Sequence, residues 1–188
     1  MKIVSLSGSP SLRSRSGWLL QLARTRLEAD AESSHVIAVR DLPATPLLTA
    51  DLQHPGLRDA IARVGEADLL IVATPIYKAA YSGLLKLFLD LLPADGLRGK
   101  TVLPLATGGS LAHLLALDYA LKPVLSALGA RDILDGVFAT DAQLLPHESG
   151  GYVPDDALVE RLDRALQPLA GTGQPHRLSP RPLAMSAG

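Results

Sequence analysis

A serine-rich segment near the N-terminus has the composition of an anion-binding loop. Residues 7–17 contain five serines, two arginines and two glycines, between a short apolar run and a helical pattern. Hydroxyl donors, free backbone N–H groups and the positive end of a helix dipole would converge there, which suits a terminal monophosphate such as that of FMN. The pyrophosphate-binding pattern G-x-G-x-x-G is missing. A serine-capped turn, with Ser16 as the N-cap, is the alternative.

A second segment, residues 74–83, places aromatic side chains after a buried apolar run. Its sequence TPIYKAAYSG carries two tyrosines and an isoleucine at the carboxyl end of a predicted strand. That apolar area would stay exposed unless a flat group covers it, and an isoalloxazine or nicotinamide ring would do so. Alternatively, Tyr77 and Tyr81 are buried beneath a neighbouring loop or subunit.

A third segment, residues 107–110, has the sequence TGGS. Its two glycines permit close approach of a ligand to main-chain amides, which would hydrogen-bond the pyrimidine edge of a flavin. A tight turn without a ligand is the alternative. The five histidines are scattered and the chain has no cysteine, so we expect no metal site and no thiol chemistry.

Alternating apolar runs and helical patterns must position these segments. Two of the runs are apolar on both faces, as in a parallel sheet covered by helices on each side, and the alternation predicts a doubly wound α/β fold. In such folds ligands bind at the carboxyl ends of the strands. The predicted strands are residues 2–6, 35–40, 68–74, 101–106 and 133–139. The predicted helices centre on residues 18–27, 57–64, 84–92, 111–128 and 158–169, and Pro123 should kink or interrupt the fourth.

Composition limits the possible partners. A net charge of −1 gives no reason to expect nucleic-acid binding, and the apolar runs are too short to cross a membrane. The first residues turn polar by Ser7, which does not match a secretory signal, so a cytoplasmic location is expected. We expect one domain over residues 1–170 and, because residues 171–188 are rich in Gly, Pro and Ser, a disordered tail there.

Taken together and in order, the three segments resemble the flavodoxin-like NAD(P)H-dependent FMN reductases. The chain is especially similar to the small reductase of two-component alkanesulfonate monooxygenase systems, and the similarity covers residues 1–170. It is carried by GSP with SRS at residues 8–16, by ATPIYKAAYSG with LK and DLLP at 73–93, and by PLATGG with HLLA and DYALKPVL at 104–125.

The resemblance implies a five-stranded parallel sheet of order 2-1-3-4-5 with helices on both faces, and FMN with NADPH or NADH as cofactors. It also implies a homo-oligomer, dimer or tetramer, with Tyr119 on a helix that packs between dimers. The implied phosphate contacts are Ser9, Ser14, Arg15 and Ser16. The implied flavin contacts are Pro75, Ile76, Tyr77, Lys78, Thr107, Gly108 and Gly109. The family often has arginine where this chain has Ser11, so either Arg13 supplies that charge or the phosphate is held less tightly.

The implied activity is hydride transfer from a nicotinamide to FMN, with reduced FMN passed to a flavin-dependent monooxygenase, for alkanesulfonate desulfonation. The flavin carries this chemistry, so no catalytic acid or base is expected. One alternative is an enzyme that retains FMN and reduces quinones or azo dyes. Another is a flavodoxin-type electron carrier. Such carriers dock electrostatically and are usually strongly acidic, so the near-neutral net charge of this chain argues against that alternative.

Overall fold

A mostly parallel sheet forms the centre of the computed structural model, which describes residues 1–169. The strands pair in the order β2-β1-β3-β5-β6, with β7 also paired to β5 and the short β4 to β3. This confirms the flavodoxin-like fold and its order 2-1-3-4-5, because β6 and β7 together take the place of the fifth strand. The strands of this sheet are β1 (Lys2–Ser7), β2 (Ser33–Ala38), β3 (Leu69–Tyr77), β4 (Ala80–Tyr81), β5 (Thr101–Gly108), β6 (Asp132–Ile133) and β7 (Val137–Thr140).

Helices cover both faces of the sheet and bury two apolar layers. One layer joins the sheet to α3, α4 and α5, and the other joins it to α1 and α6. Strands β3 and β5 are buried on both faces because they contribute alternate residues to both layers. The helices are α1 (Arg15–Leu27), α2 (Ala44–Thr49), α3 (Pro55–Glu66), α4 (Gly83–Leu89), α5 (Lys122–Ala127) and α6 (Asp156–Leu166).

The sheet has seven strands instead of the expected five, for two local reasons. The expected strand at 133–139 is split into β6 and β7, and Gly136 lies in the gap between them. A Cβ on Gly136 would come within 3.0 Å of Leu117 Cδ1, so the chain between the two strands packs closely against the segment that contains Leu117. In addition, β3 continues to Tyr77 and turns back as β4, where the sequence predicted a loop from residue 74. A separate hairpin of β8 (Leu144–Pro146) and β9 (Tyr152–Pro154) was not predicted.

The expected long helix at residues 111–128 is divided. It consists of a 3-10 turn at Leu111–His113, a π-helical turn at Leu117–Leu121 and the short α5. The interruption expected at Pro123 is present: α5 begins at Lys122 directly after the π turn, and Pro123, its second residue, has no N–H to continue the earlier ladder.

The tail proposed for residues 171–188 lies outside the described residues. Within residues 1–169, we find no helix of the length and apolar character that spanning a membrane requires.

Candidate functional site

The three predicted segments meet at one edge of the sheet. We call them loop 1 (residues 8–14), loop 2 (residues 74–82) and loop 3 (residues 107–110). Adjacent strands bring them together, since Ser7 pairs with Ala73 and Pro75 pairs with Thr107 in parallel register. All the residues expected to bind FMN therefore lie on, or next to, turns along one rim at the carboxyl ends of β1, β3 and β5.

Loop 1 ends at the cap of α1. Ser14 has extended backbone angles, and its Oγ accepts a hydrogen bond from Gly17 N at 2.9 Å, so Ser14 is the N-cap. The alternative N-cap, Ser16, is wrong: this residue lies inside the first turn and is fully buried, with its Oγ 3.4 Å from Ser14 Oγ. The two hydroxyls therefore lie side by side at the positive end of the helix.

The body of loop 1 is shaped by Ser9. This side chain is fully buried, and its Oγ accepts a hydrogen bond from Ser11 N at 3.2 Å. Arg40, beyond β2, donates from Nη1 to Ser11 O at 3.2 Å. Arg13 is exposed. The cation that contacts the loop at Ser11 is therefore Arg40, which sequence reasoning missed because it lies in a different part of the chain.

Ser7 supplies an unused hydrogen-bond donor beneath loop 1. Its side chain is buried, and its Oγ has no hydrogen-bond partner within residues 1–169. The strand pleat places Ser7 on the same face as Ile3, which packs with Leu19 and Leu20 of α1. A buried hydroxyl left without a partner costs about 1–3 kcal/mol. An oxyanion would accept from it, so this hydroxyl, together with those of Ser14 and Ser16, fits a phosphate group.

Arg15 directs its guanidinium away from loop 1. Its Nε donates to Leu144 O at 3.2 Å and lies 3.5 Å from Asp141 Oδ1. The guanidinium carbon also lies 5.1 Å from the ring centroid of Tyr152, and Trp18 meets the same ring edge-on at 6.5 Å. Arg15 therefore connects the start of α1 to the segment that follows β7 and to the β8–β9 hairpin.

Loop 2 is a strained two-residue hairpin. Tyr77 pairs with Ala80 and Ile76 with Tyr81, which leaves Lys78 and Ala79 as the turn. Both turn residues have positive φ, +50° and +65°, as in a type I′ turn. A non-glycine residue in this region costs roughly 1–2 kcal/mol. The strain is located where the flavin contacts are expected, as is common at functional sites.

The side chains of loop 2 differ in exposure. Pro75 is buried, Ile76 is half-buried, and Tyr77 is 52% exposed beside the exposed Lys78. Tyr77 is therefore not buried beneath a neighbouring loop within the described residues. Tyr81 is half-buried against the core, and this burial raises the pKa of its phenol.

Ser82 ties loop 2 to loop 1. Its Oγ donates to Gly8 O at 2.5 Å and accepts from Leu85 N at 3.1 Å, which caps α4. Its N–H donates to Thr74 Oγ1 at 3.0 Å. The roles of Ser82 and Thr74 were missed from the sequence, although a serine directly before a helical pattern is a recognised N-cap signal.

Loop 3 closes against loop 2. A Cβ on Gly108 would come within 3.0 Å of Phe138 Cζ and 3.6 Å of Ile76 Cβ, so only a glycine fits without displacement. A Cβ on Gly109 would meet no atom of residues 1–169 within 4 Å. Thr107 is buried. The main chain at Gly109 therefore borders open space on the rim.

Two other grooves, of about 220 and 410 Å³, lie along β2 and α3. They are lined by residues such as His35, Arg40 and Arg63, and neither contains a residue expected to bind FMN. The rim formed by loops 1 to 3 is therefore the candidate site.

Known proteins resemble this chain closely. The profile of a family described as NADPH-dependent FMN reductase matches residues 1–144. An FMN reductase (NADPH) of Escherichia coli (strain K12) is 52% identical over 169 residues, which is 89% of this chain and 87% of that protein. The NADH-dependent FMN reductase SfnF of Pseudomonas putida is 32% identical, covering 88% of this chain and 89% of the relative.

A solved structure agrees with these relatives. The apo form of an NADH:FMN oxidoreductase called EMOB superposes with a TM-score of 0.80 at 43% identity, covering 88% of this chain and 86% of that one. Both the fold and the sequence of the rim-bearing region are thus similar to those of flavin-reducing proteins.

Proposed function

Because the chain belongs to the NADPH-dependent FMN reductase family, we propose that FMN lies along the rim with its phosphate at loop 1. The protein is an NAD(P)H-dependent FMN reductase, an oxidoreductase that uses FMN with NADPH or NADH. The observation that carries the placement of the phosphate is the buried Ser7 hydroxyl, directly before loop 1, which has no hydrogen-bond partner within residues 1–169.

The phosphate would be held by hydroxyls and backbone N–H groups at the start of α1. Ser14 and Ser16 present adjacent Oγ atoms there, and Ser7, the last residue of β1, supplies a third hydroxyl directly before loop 1. Ser9 shapes the loop through its bond with Ser11 N, and the guanidinium of Arg15, the first residue of α1, is paired with Asp141. An anion is stabilised by this convergence of donors and helix dipole.

The flavin ring would lie between loops 2 and 3. Pro75 and Ile76 offer a buried apolar base, and Tyr77 and Lys78 stand at the exposed end of the hairpin. On the other side, the backbone of loop 3 approaches closely because its glycines have no side chain. These loop 3 contacts are Thr107, Gly108 and Gly109.

The protein's part in the reaction is orientation. When bound, FMN supplies the acceptor for a hydride from the reduced nicotinamide. The strained hairpin fixes Tyr77 at the rim before any ligand arrives, and the Ser82 bond to Gly8 O fixes the hairpin against loop 1. Such preorganisation contributes to the rate by holding two rings in a reactive arrangement. No side-chain acid or base is needed for this step.

We further propose that reduced FMN leaves the enzyme and is used by a flavin-dependent monooxygenase, which desulfonates alkanesulfonates. The exposed Tyr77 and the open space at Gly109 support this, because a flavin held at an open rim can enter and leave. The resemblance of loops 2 and 3 to reductases of alkanesulfonate monooxygenase systems points to the same partner.

Steady-state NAD(P)H oxidation tests this function. The rate is measured with both NADPH and NADH. It should saturate with added free FMN, and it should be lower with riboflavin because riboflavin has no phosphate. A purified protein that stays yellow and reduces quinones or azo dyes without added FMN would instead be a reductase that retains its flavin. Coupling to a monooxygenase is tested by sulfite release from an alkanesulfonate when both proteins are present.

A substitution in open space tests the position of the ring. Gly109→Val adds a side chain where no atom of the described residues, 1–169, lies within 4 Å of the new Cβ, so the fold should tolerate it. If the flavin edge lies there, FMN affinity should fall by about tenfold or more, since a ring in van der Waals contact leaves no room for added methyl groups. Unchanged FMN affinity would remove loop 3 from the site.

We propose that the protein is a homo-oligomer. Apolar side chains are exposed along the segment that contains the π turn: Leu111, Leu115 and Tyr119 are 64%, 57% and 79% exposed. A patch of this kind marks an interaction surface. Sedimentation should give a dimer or tetramer, and Tyr119→Glu should lower the mass of the assembly. A monomer in both proteins would contradict the proposal.

A further inference from the structure

Arg15 is a cation in an unfavourable position for a helix. It is the first residue of α1, where the helix dipole favours negative charge, and the first turn contains no acidic residue. Its guanidinium does not lie over the helix end but reaches Asp141, Leu144 O and Tyr152. An interaction with the helix dipole therefore does not explain why arginine stands at this position.

Asp141 is the residue of opposite charge that faces Arg15 in this arrangement. It directly follows β7, and its carboxylate lies 3.5 Å from Arg15 Nε. A carboxylate this close to the first residue of α1 is well within one Debye length of any phosphate bound at that helix end. Without a cation beside it, Asp141 would repel the phosphate, which carries nearly two negative charges at neutral pH.

The remaining contacts hold the guanidinium in place. Leu144 O accepts a hydrogen bond from Nε, and the ring of Tyr152 lies 5.1 Å from the guanidinium carbon. Both groups belong to the β8–β9 hairpin, so the hairpin and Asp141 together fix the direction of the side chain. A planar guanidinium is suited to this combination of ring stacking and ion pairing, which lysine does not reproduce.

We propose that Arg15 is a positioning residue that neutralises Asp141, so that the phosphate of FMN can bind at the start of α1 without touching Arg15. This rests on the proposed placement of the phosphate. It differs from a direct contact between Arg15 and the phosphate, because in our proposal the effect of Arg15 is exerted through Asp141.

A double-mutant cycle separates the two roles. Dissociation constants for FMN and for riboflavin are measured by flavin fluorescence quenching at pH 7.5 with wild type, Arg15→Met, Asp141→Asn and the double variant. Arg15→Met should weaken FMN binding by about tenfold, because a nearby unpaired carboxylate then opposes the phosphate. Riboflavin, which has no phosphate, should be affected by less than about twofold, and added salt should reduce the FMN effect.

The double variant shows whether Arg15 acts through Asp141 or directly on the phosphate. If Asp141 is the target, Arg15→Met/Asp141→Asn should recover FMN binding to within about twofold of wild type, because both charges of the pair are then removed together. If the double variant binds FMN as weakly as Arg15→Met alone, Arg15 acts on the phosphate directly and the proposal is overturned. If riboflavin is weakened as much as FMN, the effect is a loss of the hairpin's position, and the proposal is likewise overturned.

A matched control comes from the other end of the same helix. Arg26 forms an ion pair with Asp163 of α6, so Arg26→Met removes an arginine and an ion pair from α1 without touching the rim. It should leave the affinity for FMN unchanged. Wild type that binds FMN no better than riboflavin would overturn the phosphate placement itself, whereas an FMN preference without rescue overturns only the role of Arg15.

Discussion

Gly8 lies so close to α4 that a Cβ built on it would come within 2.6 Å of the Cβ of Leu85. Leu85 is fully buried, and the backbone of Gly8 is held on both sides, by Ala73 O and by the Ser82 hydroxyl. Strand β1 and helix α4 therefore meet at a point where neither can move without disturbing loop 1 or loop 2.

Gly8→Ala should lower the free energy of unfolding by about 1–3 kcal/mol, because an added methyl group in a closed contact forces backbone shifts. Urea unfolding followed by circular dichroism measures this. Gly83→Ala is the matched control, since a Cβ there meets nothing within 4 Å and should not lower stability. Equal effects of the two substitutions would show that the close approach is not a constraint.

Ala79→Gly should raise the free energy of unfolding by about 0.5–1 kcal/mol, because glycine removes the penalty of positive φ but adds flexibility to the unfolded chain. Ala80→Gly, one residue later in β4, should lower it by about 0.5–1 kcal/mol. Thermal and urea unfolding of the pair give the comparison. Two changes of the same sign would contradict a strained turn at Ala79.

Ser7→Ala should weaken FMN binding while leaving the free energy of unfolding unchanged or raised by about 1 kcal/mol, because it removes a buried hydroxyl without a partner. Ser5 is a control on the same face of β1, equally buried and also without a partner in the described chain, but one pleat further from the rim. Ser5→Ala should have a similar effect on stability and none on FMN. The two readouts are urea unfolding and flavin fluorescence titration.

Lys100 gives the protein a pH-dependent stability. It is buried, its Nζ donates to Gly65 O at 2.6 Å and to Ala67 O at 2.9 Å, and burial lowers the pKa of the ammonium while Asp68 opposes this. Between the lowered pKa and the usual value of 10.5, the unfolded chain binds more protons than the folded one. The contribution of Lys100 to the free energy of unfolding should therefore rise with pH in that window and level off above it.

Lys100→Met should abolish this rise, and at neutral pH it should lower stability by about 1–3 kcal/mol because two carbonyls lose their donor. The measurement is urea unfolding of both proteins from about pH 8 to about pH 10.5, compared as a difference so that other titrating groups cancel. Parallel profiles would mean that Lys100 titrates normally in the folded chain.

The sequence predicted the layers of the fold because two-sided apolar strands and amphipathic helices are local patterns. It did not predict the hairpin of loop 2, because Lys78 and Ala79 lack the Asn-Gly type of signal that marks such turns. Nor did it predict the split between β6 and β7, where Gly136 packs closely against Leu117 of another element.

The candidate site was predictable as three turns, and less so as a set of contacts. Turn composition and strand order suffice to place Ser14, Tyr77 and Gly108 on one rim. The partners of Arg15 were not predictable, because its hydrogen bond to Leu144 O spans 129 positions of sequence and only tertiary structure brings the two together. The same holds for Arg40 and the carbonyl of Ser11.

Trp18 is the chain's single tryptophan, and its ring stands edge-on to Tyr152. Indole emission therefore has one source, at the joint between the first helix and the small hairpin. A melting curve measured by tryptophan emission records the separation of this helix from the hairpin. A curve measured by far-ultraviolet circular dichroism records the loss of the whole fold. The temperature gap between the two curves is a direct measure of how firmly the hairpin's release is coupled to global unfolding.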